Sequence, residues 1–140
     1  MISTVAVGTD GSATAEEAVK RAVEIAKRFN AKLVLLSAFQ DGSSKGGGGK
    51  DIERQWASSP AARIRSILER DAAELKDAGV NCEIRFDEGD PAEVLVSLAS
   101  ECDADLLVIG NKGIKRRMLG SVPNSITHSA GCSVLVVKTT

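Results

Sequence analysis

The sequence has no tyrosine, one tryptophan, three phenylalanines and a single histidine among its 140 residues. Proteins that grip single-stranded nucleic acid do so by stacking bases on aromatics, so this scarcity argues against such a partner. The formal net charge is −1, which leaves no global field to draw in nucleic acid or anionic lipid. No apolar run approaches the roughly 18–20 residues of a membrane span. The start, "MISTVAVGTDGS", lacks the basic leader and long apolar segment of a signal peptide. The expectation is a cytoplasmic protein with no nucleic-acid and no membrane partner. Cys82, Cys102 and Cys132 are far apart, odd in number and form no CxxC. With His128 as the lone histidine, they do not make a zinc site and read as core thiols. His128 itself, in "SITHSAG", has no evident nucleophile or orienting carboxylate nearby and reads as a helical-surface or partly buried residue.

What is present is a regular alternation of patterns. Hydrophobic residues make up 43% of the chain, enough for the core of one domain spanning 1–140. "ISTVAVG" is a short apolar run that reads as a buried strand. After it Ala15, Ala18, Val19, Ala22, Val23, Ala26 and Phe29 recur at helical spacing, with Ser12 or Thr14 as the cap. "AKLVLLSA" is a second strand. A helix follows from about Ala61 to Ala78, with Ile64, Ile67, Leu68 and Leu75 on one face. "NCEIRF" alternates and reads as an edge strand. Asp90, Pro91 and Glu93 make a strong helix start, followed by a stripe of Leu95, Leu98, Ala99 and Cys102. "ADLLVIG", a short helix from near Ser121 and the strand "CSVLVVK" complete the chain. Helices between successive strands imply right-handed crossovers and a parallel α/β sheet covered on both faces. Residues 41–60, with four consecutive glycines, read as a flexible Gly-rich insertion.

In such sheets a ligand sits beyond the carboxyl ends of the strands, where the strand order reverses. Two loops at those ends are chemically unusual: "VGTDGS" after the first strand and "GNKGIKRRMLGS" after the fourth. If those strands are neighbours, the loops form opposite walls of one crevice. Glycine lets backbone N–H groups approach an anion, and a helix beginning at Gly120-Ser121 aims its free N–H groups at a phosphate. Ser121 caps that helix or offers its hydroxyl to a phosphate oxygen. Asp10 suits a ribose hydroxyl or Mg²⁺, although Asp10-Gly11 is also a common turn. "GTDGSA" does not supply the dinucleotide fingerprint GxGxxG. "SSKGGGGKD" does not make a Walker loop, because Asp51 follows Lys50 and no strand-to-helix turn surrounds it.

Three segments together, "VAVGTDGSATAEEAVKRAVEIAK", "GDPAEVLVSLA" and "ADLLVIGNKG…LGSVPNSITHSAGCSVLVVK", resemble the universal stress protein family. The likeness covers nearly the whole chain except 41–60. It implies a single-domain three-layer sandwich, a five-stranded parallel sheet in the order 3-2-1-4-5 with helices on both faces. In the family's nucleotide-binding branch ATP lies across the two loops. The resemblance assigns adenine to Gly8, Thr9, Asp10 and Ala38. It assigns ribose and phosphates to Ile109, Gly110, Gly113, Gly120, Ser121 and Val122. The family's loop reads G-x2-G-x9-G-[ST], whereas here six residues separate Gly113 from Gly120. Arg116 and Arg117 stand in this shortened segment, where they either replace the missing contacts or are solvated.

The resemblance implies an adenine-nucleotide-binding stress protein with ATP as first choice; Asp10, with no second acidic residue near it, is the candidate for a Mg²⁺ that comes with the nucleotide. Hydrolysis is expected to be absent or very slow, since no Gln or His stands beside the loop to orient water. Cyclic AMP is the alternative ligand, and an interaction module that has lost nucleotide binding is the alternative function. An ATP pyrophosphatase is a remoter reading, because "GTDGSA" only partly echoes the loop that class requires. In the family order the last strand is a sheet edge, which implies a homodimer paired through Val134 to Val137.

Overall fold

The computed structural model describes residues 1–40, 59–111 and 120–138. In chain order these form β1 (Thr4–Gly8), α1 (Ala13–Phe29), β2 (Lys32–Phe39), α2 (Pro60–Asp77), β3 (Cys82–Glu88), α3 (Pro91–Glu101), β4 (Leu106–Asn111), α4 (Ser121–Ser129) and β5 (Ser133–Lys138). The five strands are all parallel and lie in the order β3-β2-β1-β4-β5. The expected fold class and strand order hold, and β3 and β5 are the edges. The expected Gly-rich insertion falls on residues outside the described ones, apart from its last two. There Ser59 caps α2 by accepting the Ala62 N–H, and Pro60 takes the first turn, so the helix begins one residue before the pattern predicted.

The layering follows from the two-residue period of the strands. Val5, Val7, Leu33, Leu35 and Val108 point to one face, where Ala18, Ala22 and Ala26 of α1 and Leu68 and Ala72 of α2 cover them. Ala6, Val34, Leu36, Leu107 and Ile109 point to the other, under Leu95, Leu98 and Ala99 of α3 and Ile126 of α4. The α1 contact is made by alanines, which lets the helix lie close to the central strands. Each fully buried Leu or Val contributes about 1.5–3 kcal/mol relative to exposure, so the central strands carry much of the fold's stability.

The helix boundaries have local causes. Asp90 caps α3, its Oδ2 accepting the Glu93 N–H at 3.2 Å, with Pro91 in the first turn as expected. Asn30 ends α1 in the left-handed region at φ 53°, and the Ala31 N–H returns to the Ala26 carbonyl at 2.8 Å. That turn corrects one expectation. Phe29 is 47% exposed rather than part of the buried stripe, because the helix stops there and Ala31 takes the next inward place. Cys82 and Cys102 are buried as expected, while Cys132 is only half-buried at the approach to β5. His128 is exposed on α4. No helix among the described residues is long and apolar enough to cross a membrane.

Candidate functional site

β1 and β4 are adjacent, with Val5, Ala6 and Val7 opposite Leu106, Leu107 and Val108. β1 continues into α1 on one face of the sheet and β4 leads to α4 on the other. The chain therefore parts above this junction, and a cavity of about 470 Å³ opens there. That volume lies within the range of small-molecule sites. Gly8, Thr9, Asp10, Ala38, Ile109, Gly110, Gly120, Ser121 and Val122, all expected from the sequence, line it together. Gly113, Arg116 and Arg117 lie outside the described residues. Ser12, Thr14, Ala15, Ser37, Pro91, Leu95 and Pro123 also line the cavity, although the sequence pattern does not place them at the site. Leu95 was legible only as a core position, and Ser37 only as a strand residue.

The first wall is a turn held by successive local hydrogen bonds. The Thr9 N–H continues the sheet by donating to the Leu36 carbonyl at 2.8 Å. The Thr9 Oγ1 accepts the Gly11 N–H at 3.2 Å, and the Asp10 Oδ1 accepts the Ser12 N–H at 2.9 Å. Ser12 then caps α1 by accepting the Ala15 N–H at 3.2 Å. Gly11 adopts φ 81°, in the left-handed region that a side chain disfavours. Gly8 is tight for another reason, since a Cβ there would stand 3.0 Å from Leu95 Cδ1, which would have to shift beneath the cavity.

The opposite wall is the start of α4. Gly120 is the N-cap, and among the described residues no side chain caps this helix. Ser121 is therefore the first helical residue and not the cap, which corrects one of its two expected roles. Its hydroxyl is left to the cavity edge. Pro123 carries no N–H, and the Asn124 N–H is taken by the Gly120 carbonyl at 2.9 Å. Among the described residues, no hydrogen bond takes the N–H groups of Ser121 and Val122. The partial positive charge of the helix end therefore meets the cavity with two donors in hand. The Gly120 N–H is engaged by Asn111 Oδ1 at 3.2 Å.

This arrangement suits a ligand with an anionic end and a flat apolar body. Ala38, Pro91, Leu95, Ile109, Val122 and Pro123 supply apolar surface, and Asp10 is the one carboxylate among the described lining residues. The described residues form no cluster of three His, Cys, Asp or Glu side chains that would hold a metal. Asp10 alone does not make a Mg²⁺ cage. A Mg²⁺ ion here would need phosphate oxygens and water for its other ligands.

Known proteins share the whole of this architecture. A universal stress protein of Mycobacterium tuberculosis is 40% identical over 143 aligned positions, covering 98% of this chain and 97% of its own. A crystal structure of a universal stress protein in complex with cyclic AMP is 38% identical, with a TM-score of 0.75 and coverage of 99% and 98%. An Arabidopsis thaliana protein of the family, solved with AMP bound, shares the fold at 22% identity and a TM-score of 0.74, covering 99% of this chain and 92% of its own. The universal stress protein family as a whole matches residues 1–138, and the chain belongs to it.

Proposed function

We propose that the cavity binds an adenine nucleotide, with its phosphate at the start of α4 and its base toward the end of β2. The observation that carries this reading is the pair of N–H groups of Ser121 and Val122, which no hydrogen bond among the described residues takes and which border a cavity whose other described walls are largely apolar. Backbone donors at a helix start favour an anion, and the apolar walls accept a heterocycle. The related protein solved with cyclic AMP, at 38% identity, supports the choice of an adenine nucleotide.

ATP is the ligand the family loop motif suggests, and cyclic AMP is the second reading, favoured by that same relative. The described lining offers no His or Gln to orient a water, so the proposed role is holding a nucleotide in a stress-related regulatory function, with hydrolysis slow or absent. Arg116 and Arg117 separate the two ligands. If they meet the phosphates, replacing both with alanine weakens ATP more than cyclic AMP, because ATP carries more negative charge.

Calorimetric titration of ATP and cyclic AMP into the unmutated protein and the double variant tests both points. Failure of both nucleotides to bind the unmutated protein would sink the proposal in favour of an interaction module. We also propose a homodimer through Val134–Val137 of the edge strand β5. These four residues present an apolar edge whose outer side no other strand among the described residues covers. Light scattering at micromolar concentration would overturn this if it gave a monomer mass.

A further inference from the structure

The turn that forms the first wall of the cavity has a second side. Thr9, Asp10 and Ser12 line the cavity, but Gly11 between them does not. A Cβ added to Gly11 would lie 2.9 Å from Ile67 Cγ2, 3.6 Å from its Cδ1 and 3.9 Å from its Cγ1. The side chain of Ile67, on α2, therefore fills the notch that the glycine leaves. Ile64 and Leu75 of the same helix pack against the core, and Leu68 and Ala72 belong to it. Ile67 is half-buried, yet it is part of neither apolar layer. One helical turn further along, burial raises the Asp71 carboxyl above the usual aspartate range, and Glu16 in the first turn of α1 is among the charges that add to this. This flank of α2 thus lies near the beginning of α1.

The turn has reason to need a support there. Its entrance is fixed on the sheet by the Thr9 N–H, and its exit into α1 by the Ser12 cap. Glycine adopts positive and negative φ with similar ease, so Gly11 at 81° does not by itself keep the middle of the turn in one shape. The hydrogen bonds from the Gly11 N–H to Thr9 Oγ1 and from the Ser12 N–H to Asp10 Oδ1 are local and would travel with the turn. Ile67 reaches the same place from a separate helix.

We propose that Ile67 is a positioning residue for the ligand. By filling the Gly11 notch it holds Thr9, Asp10 and Ser12 toward the cavity, so that nucleotide affinity depends on where α2 stands. This rests on the nucleotide reading of the same cavity. The dependence is reciprocal, so an occupied cavity in turn holds α2 in place.

The test titrates ATP and cyclic AMP into the unmutated full chain, Ile67→Ala, Ile67→Val and Ile64→Ala, and records the melting temperature of each without ligand. Ile67→Ala empties the notch and is expected to bind both nucleotides about two- to thirtyfold more weakly. Ile67→Val retains Cγ2, the atom nearest the notch, and is expected to keep the native affinity. Ile64→Ala removes the same atoms where the helix meets the core, so it should lower the melting temperature and leave affinity unchanged. If Ile67→Ala does not fold, Ile67→Leu takes its place, since it keeps the volume but has no methyl on its Cβ to enter the notch. Native affinity in the variant that empties the notch overturns the proposal while leaving the nucleotide site standing. So does an equal loss in Ile67→Val, or an equal loss in Ile64→Ala, which would tie affinity to the stability of α2 as a whole. No binding of either nucleotide to the unmutated chain overturns the site reading and this inference together.

Discussion

The side-chain oxygen of Asn111, the last residue of β4, accepts a hydrogen bond from the backbone N–H of Gly120, the N-cap of α4, at 3.2 Å. The two ends of the loop between them are thus tied by a side chain that also stands beside the positive end of a helix.

That relationship gives two opposed variants. Asn111→Ala removes the tie and should cost about 0.5–1.5 kcal/mol of stability. It should also weaken nucleotide binding, because the start of α4 is less firmly placed. Asn111→Asp keeps an acceptor and adds a negative charge near the helix start, which is stabilising by about 0.3–1 kcal/mol. The same charge repels a phosphate. Melting curves and calorimetry on both variants should therefore show stability and affinity falling together in one and separating in the other.

Gly11 and Gly79 provide a matched pair for separating clash from backbone strain. Both have positive φ, 81° and 87°, but an added Cβ at Gly11 would lie 2.9 Å from Ile67 Cγ2 whereas at Gly79 it would meet nothing within 4 Å. Gly79→Ala should cost about 1–2 kcal/mol, from strain alone. Gly11→Ala should cost measurably more, since Ile67 on α2 must move as well. Equal losses in urea unfolding would show that Ile67 yields freely.

Asp105 accepts the N–H groups of Ser3 and Thr4 at 2.8 and 3.0 Å, fastening the start of β1 beside the start of β4. These hydrogen bonds hold its carboxyl below the usual aspartate range. A folded-state value lower than the unfolded one contributes stability that is fully present above the unfolded value. That contribution is lost as the pH falls through the folded value. The stability difference between the native protein and Asp105→Ala should accordingly narrow between neutral pH and pH of about 3. A constant difference would mean that the charge plays no part.

The three thiols should react in a fixed order. Burial pushes Cys82 up to about 11 and also raises Cys102 and Cys132. Cys132 is half-buried, whereas Cys82 is almost wholly buried. Limited alkylation at pH of about 8, read by peptide mass, should mark Cys132 first and Cys82 last, all slowly. Early labelling of Cys82 would reveal opening of the layer between β3 and α2.

Much of this fold was legible because its signals are local. The alanine spacing of α1 and the Asp90-Pro91-Glu93 start of α3 each follow from a few adjacent residues. The adjacency of β1 and β4 was different. Periodicity does not pair strands a hundred residues apart, and that part came from family resemblance. Phe29 misled because helical spacing says nothing of where a helix stops, and the Asn30 turn decided it. Ser121 misled in a related way, since a serine and the preceding glycine are both acceptable N-caps. Ser37 and Leu95 were missed as cavity residues because a strand or helix pattern gives the face of a residue, not the open end of the sheet above it. A serine closing a run of four aliphatics was the one signal available for Ser37.

The cavity draws its described lining from both halves of the chain: Gly8 to Asp10, Ser12, Thr14, Ala15 and Ser37-Ala38 from one, Pro91, Leu95, Ile109-Gly110 and Gly120 to Pro123 from the other. Beneath it, β1 and β4 are joined by three paired positions, against five between β1 and β2, seven between β2 and β3 and six between β4 and β5. A small molecule lodged there works as a clasp across the shortest seam in the sheet. Its binding energy adds to the cohesion of the two halves according to its concentration relative to its dissociation constant. Amide exchange at Ala6, Val7 and Val108 should then slow as the proposed ligand fills the cavity, so that closure of the seam reads out its occupancy.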